Sequence, residues 1–445
     1  MESPLVEILN SLKLAHVIAL AVAAVLMACC VLWNRVDALM FILVLSASLV
    51  GTTIPIVENI ASLLRWLSVL LLFLCGLLFG KIAIPSRLLP FLAYVFIGFI
   101  FLTRAISPIW QFQRGFLLLI VAMAIPVAFS SRSYGTYRST LVLIAVVASV
   151  FAVVNAISVT SHLSDPTRLM GYSKGAPSFA VILGGLLPFS FWGLWSVRSS
   201  VLKLVLGVGF LSGAVTLALS GQRAGTVAGV VGLIPLIIVT TLRKRNVGWS
   251  LLVLALLFLL GSLLVRQSSV ARINFLLSRY SFDSGLSNRG LIWQMALSEI
   301  AENPLLGKGI GAAEWVISSS FHNAYLEVWF NAGLLGLVFF LIGQIYLFYR
   351  ISFLIRISPD PEKESILALG LGYMLGFLVL CVFESIGAGA SNLNVVLYWF
   401  LAVLVSHDAL FRDTSLPLPL GIRTLTQHPM GFARGKVEQL DELPR

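Results

Sequence analysis

Thirteen uncharged apolar stretches of 15 or more residues follow one another along this chain, at 14–34, 38–57, 66–80, 88–103, 115–131, 139–161, 175–197, 204–222, 224–242, 246–265, 328–349, 365–383 and 385–406. A membrane-spanning helix needs about 20 apolar residues, within a range of about 17–25. Most of the stretches meet that length, and the short ones, 66–80 and 88–103, set the expected count at twelve or thirteen spans. The chain has 445 residues, 59% of them hydrophobic and only 11% charged, too little polar surface to cover a soluble core of that size. The expectation is an all-α polytopic membrane protein, with residues 1–411 as the membrane domain and 412–445 as a cytoplasmic, disordered tail of mixed charge.

A net charge of +11 suggests nucleic acid only when the basic residues cluster, and here they are scattered between the apolar stretches. Nucleic acid is therefore not an expected partner; membrane lipids are. All four cysteines (Cys29, Cys30, Cys75, Cys381) fall inside apolar stretches and read as small hydrophobic residues rather than a disulfide framework. The opening residues, MESPLVEILNSLK, carry neither a basic leader nor a small-residue cleavage site, so the first span is expected to stay.

Short loops rich in Lys and Arg remain in the cytoplasm, and Arg243, Lys244 and Arg245 form the densest of them. Alternation from that loop puts Arg132, Arg138, Arg198, Lys203, Arg350, Arg356, Lys363 and the C-terminal tail on the cytoplasmic side. Short loops there carry thirteen Lys and Arg against seven on the outer side, where the long segment 266–327 escapes the rule and holds five more. The outer face nevertheless keeps Arg104, Arg114, Arg168, Lys174, Arg223, Arg266, Arg272, Arg279, Arg289 and Lys308. They read either as side chains snorkelling to lipid phosphates or as the lining of a cleft for an anionic, lipid-linked substrate.

Within 266–327, "NRGLIWQMALSEIAENPLLGKGIG" predicts a helix starting near Ser287 and Asn288 and stopping before Pro304. Leu291, Met295 and Ile300 fall roughly on one face, which suits a helix lying on the membrane with Trp293 at headgroup level. "GKGIG" lacks the Lys-Ser/Thr pair of a phosphate loop and reads as a flexible turn.

Two polar sites interrupt apolar sequence. His322 stands at the lip of the run that follows, with Asn323 beside it and Glu327 about one turn on. In "LALSGQRAGTVAGV", Gln222 and Arg223 separate two spans that have almost no loop between them. A charge at membrane depth costs at least about 2.5–3.5 kcal/mol, so Arg223 either ends a helix at the interface or faces protein, water or a substrate anion.

In order, "SGQRAG", "NRGLIWQMALSEIAENPLLGKGIG" and "HNAYLEVWFNAGLLGLVFFL" resemble the O-antigen ligase superfamily, which also contains polysaccharide polymerases, with the match concentrated in about 215–345. The resemblance implies a glycosyltransferase-C-like architecture in the bacterial inner membrane, a periplasmic active site, and a glycan donor carried on undecaprenyl pyrophosphate. The acceptor is the lipid A core for a ligase and another lipid-linked glycan for a polymerase. It further implies that Arg223 and Arg289 act on the pyrophosphate and that His322 is the base. His322 follows Arg289 by 33 positions, a compact loop for a ligase, which keeps the polymerase reading close.

The chemistry suits those residue types. Guanidiniums are always charged and bind phosphate bidentately, so they stabilise a pyrophosphate leaving group. An imidazole, with an ordinary pKa of about 6.5, can take a proton from a hydroxyl near neutral pH. Direct displacement would invert the anomeric centre. Gln222, Asn323, Glu327, Arg279, Tyr280, Arg168 and Glu384 are further candidates for binding pyrophosphate or sugar, Glu327 and Glu384 also for orienting His322. No carboxylate or histidine cluster marks a metal site, and no cofactor is expected. A transporter would instead place polar groups at mid-membrane, where these stretches are nearly clean.

Overall fold

The computed structural model describes residues 14–80, 88–100, 108–160, 171–173, 176–242, 289–316, 321–358, 360–385 and 392–407. The expected span 246–265, Arg168, Arg279, Tyr280, the stretches 266–288 and 317–320 of the outer segment, and the tail 412–445 lie outside them.

The described residues form helices and no strand; one isolated bridge joins Thr52 and Ser173. In chain order the helices are α1 (Leu14–Leu32), α2 (Val36–Leu49), α3 (Pro55–Phe79), α4 (Leu89–Ile100), α5 (Pro108–Phe129), α6 (Tyr134–Thr160) and α7 (Ala176–Ser196). There follow α8 (Ser200–Leu219), α9 (Arg223–Leu242), α10 (Arg289–Glu302), α11 (Ala312–Val316), α12 (Ala324–Ile357), α13 (Pro361–Phe383) and α14 (Leu393–Ser406). Eight of the described helices are long and apolar enough to cross a membrane. The chain is an all-α polytopic membrane protein.

One boundary differs from the expectation. The runs 38–57 and 66–80 do not meet across a loop at 58–65. The turn lies earlier, at Gly51 (φ 85°), and Pro55 opens a 25-residue helix in which Arg65 is buried. The charge of Arg65 divided the apolar pattern, whereas proline at a first helical position started the helix.

Small residues set how closely the helices pack. At the crossing of α9 and α13, a Cβ added to Gly372 would come within 2.0 Å of the Gly232 carbonyl oxygen. Without a hydrophobic drive between helices in lipid, such backbone contact supplies the packing energy. Gly184 and Gly185 serve the same purpose inside an unbroken α7, against Gly225 and Asn394. All 14 residues of α14 are buried, and it packs against α2, α5, α7, α12 and α13. A helix apolar all round belongs inside.

Helix α12 is broken at Gly333, whose φ of 66° a side-chain-bearing residue rarely adopts. The carbonyls freed there are taken by the preceding loop: Lys308 N–H donates to Phe330 O at 2.9 Å and Gly309 N–H to Asn331 O at 2.9 Å. Gln111 of α5 donates to the Lys308 carbonyl at 2.9 Å, and Lys308 Nζ pairs with Glu299. "GKGIG" is therefore a docked turn rather than a flexible one, and its Lys308 and Gly309 amides are committed to α12 rather than to a phosphate.

Candidate active site

His322 precedes α12 and holds a left-handed backbone conformation, φ 50°. For a residue with a side chain this is uncommon and costs on the order of 1–2 kcal/mol, so surrounding contacts must hold it. Two are evident. Asn323 caps α12, its Oδ1 accepting from Leu326 N–H at 3.0 Å. Trp293 of α10 donates its indole N–H to the Phe321 carbonyl at 2.9 Å, and the buried Phe321 ring stacks edge-on against Phe330 at 5.1 Å. Trp293 thus clamps the residue before His322. The expected apolar face of α10 also divides: Ile300 is buried with Ala296 against Phe321 and Phe330, while Leu291 and Met295 stay exposed.

Glu384 caps the C-terminus of α13 and is 7% exposed. Its Oε2 lies 3.1 Å from His322 Nδ1, and its Oε1 accepts from Arg289 Nη2 at 3.0 Å. Arg289 Nη1 donates to the Phe383 carbonyl at 2.6 Å. A cation as first residue of its own helix opposes the helix dipole, but at the C-terminus of α13 it meets unsatisfied carbonyls and negative potential. That explains why arginine opens α10. An imidazole whose Nδ1–H donates to a carboxylate presents Nε2 as its basic nitrogen. The His322 side chain is one-third exposed, 33%, and so accessible to a substrate.

Arg223 is the first residue of α9, after a turn in which Gly221 has φ 69° and Gln222 N–H donates to Ser220 Oγ at 3.2 Å. α9 and α13 run antiparallel, with Gly232 against Gly372 and Ala228 against Gly376. Continuing that register brings the Arg223 end of α9 level with Cys381–Glu384. Gln222 is buried, and its Nε2 has no hydrogen-bond partner among the described residues. Asn323 Oδ1 is engaged by its cap, and Glu327 is buried in the first turn of α12, where a carboxylate favours the helix dipole. Among the described residues, the structure thus joins Arg289, Glu384 and His322 directly and places Arg223 at the same end of the bundle. Sequence reasoning names Glu384 without its central position. The signal for that position is its standing as the lone charge between two long apolar runs.

The class defined by this fold and site is a polytopic helical membrane protein carrying, at one end, an imidazole oriented by a carboxylate beside arginine. Residues 208–341 match the protein family described as O-Antigen ligase. The chain is also 27% identical over 173 residues to the exopolysaccharide production protein ExoQ of Rhizobium meliloti (strain 1021), an alignment covering 34% of this chain and 38% of that protein. The chain therefore spans well under half the length of the curated relative it matches. Both matches support the resemblance to the O-antigen ligase and polysaccharide polymerase superfamily. The family match contains Arg223, Arg289 and His322; Glu384 lies beyond it.

Proposed function

We propose that this protein is a membrane glycosyltransferase that moves a glycan from undecaprenyl pyrophosphate to an acceptor hydroxyl at the His322 end of the bundle. The observation carrying the reading is Glu384, which holds an imidazole and a guanidinium through its two oxygens. His322 Nε2 takes the proton of the acceptor hydroxyl as its oxygen attacks the anomeric carbon. The bond from that carbon to the pyrophosphate oxygen breaks, and the leaving diphosphate departs with the electron pair. Arg289, through the N–H groups not directed at Glu384 and Phe383, and Arg223, at the positive end of α9, stabilise the charge on the diphosphate. Displacement in one step inverts the anomeric centre, and the cations that serve the leaving group are arginines rather than a metal.

The acceptor is the lipid A core in the reading as an O-antigen ligase, which the family description favours. The relative's name, an exopolysaccharide production protein, favours a polymerase that joins lipid-linked repeat units. In either case the site faces the periplasm of the inner membrane, because the arginine-rich 243–245 loop follows the other end of α9. Surface glycan from a deletion strain, complemented with wild type or His322→Ala, tests this on a gel. Loss of a ligase leaves uncapped core with long glycan stranded on its carrier, and loss of a polymerase leaves single repeats on core. Normal ladders from the variant would overturn the reading.

A further inference from the structure

A cavity of about 470 Å³ lies at the other end of the bundle from His322, where α7 turns into α8 and α13 begins. Its lining holds Arg138, Arg198 and Lys203 together with Glu362 and Glu364. Arg138 pairs with Glu362 and donates to the Ser196 carbonyl at 2.8 Å, so it braces the wall. Arg198 and Lys203 are exposed. A simple anion in this space would face two carboxylates, and a simple cation would face three basic groups. A phosphodiester with an ammonium a few bonds away answers both signs.

The surroundings supply the apolar remainder of such a molecule. Although α8 and α9 are consecutive, they touch little: α8 packs on α6 and α7, α9 on α7 and α13. They diverge from their shared turn at Gly221 toward the cavity. α8 exposes Leu204 (69%), next to Lys203, and Val208 one turn further on, and α9 exposes Ile238, next to the cavity residue Val239, and Ile234 one turn before that. Both helices are long and apolar enough to cross a membrane, and exposed apolar side chains on such a span suit lipid chains.

We infer that this cavity binds the headgroup of a zwitterionic phospholipid, the phosphate between Arg198 and Lys203, the ammonium toward Glu362 and Glu364, and the acyl chains along α8 and α9. The site is separate from the glycosyltransferase reading and stands or falls independently of it.

Native mass spectrometry of the full-length protein in detergent tests it, with phosphatidylethanolamine, phosphatidylglycerol and inorganic phosphate as probes. One phosphatidylethanolamine per chain should be retained in preference to phosphatidylglycerol. Arg198→Gln with Lys203→Gln should lower its occupancy about tenfold, the loss expected for a charge-assisted contact. Both side chains are exposed, and Lys203→Ala alone, with a smaller loss, guards against misfolding of the double variant. Equal retention of the two lipids, displacement of lipid by inorganic phosphate, or unchanged occupancy in the variants would each overturn the inference.

Discussion

His322 Nδ1 and Glu384 Oε2 meet at 3.1 Å across 62 positions of sequence, joining the lip of one long helix to the end of the next. Glu384 is two-handed, and its other oxygen holds Arg289. The carboxylate therefore sets the imidazole's tautomer and the distance between base and guanidinium together.

Glu384→Gln preserves shape while removing the charge that orients both partners. Turnover should fall about 10²-fold, within the range of general-base contributions, with KM nearly unchanged because Glu384 positions rather than binds. Steady-state kinetics on purified protein checks this. A kcat within about twofold of wild type would detach Glu384 from the mechanism.

His322 combines a chemical role with a left-handed backbone, and substitution can separate them. Asparagine tolerates positive φ better than alanine does. His322→Asn should therefore unfold at a temperature near that of wild type while losing about 10²–10⁴-fold in rate, and His322→Ala should lose both activity and some stability. Thermal unfolding paired with turnover distinguishes the two effects.

Trp293→Phe keeps the aromatic bulk and removes the indole N–H that grips Phe321. The expected cost is about 0.5–1.5 kcal/mol of stability, with a fall in activity of about tenfold as His322 loosens. Unaltered kinetics with unaltered melting would return Trp293 to the role of a membrane anchor.

Gly333→Ala places a Cβ 2.2 Å from the Leu305 carbonyl oxygen at a positive φ. The break in α12 and the docked 307–309 turn depend on that backbone, so the variant should lose well over about 1 kcal/mol. A melting temperature equal to wild type would show that the break does not need glycine.

Much of this architecture is legible in the amino-acid order alone. Apolar run length reports the surroundings of a whole segment, so it determined that the chain is a bundle of membrane helices. Gln222 and Arg223 marked the near-absence of a loop between α8 and α9, His322 stood out as a polar group where an apolar run begins, and the family resemblance singled out Arg289. Partnership is a different kind of information. The choice of Glu384 for both Arg289 and His322, the grip of Trp293 on Phe321 and the burial of α14 on every side were decided only by the tertiary structure. Which helix ends meet depends on helix order and on the register set by backbone contacts such as Gly232 with Gly372. Hydropathy, averaged over a segment, carries no record of either.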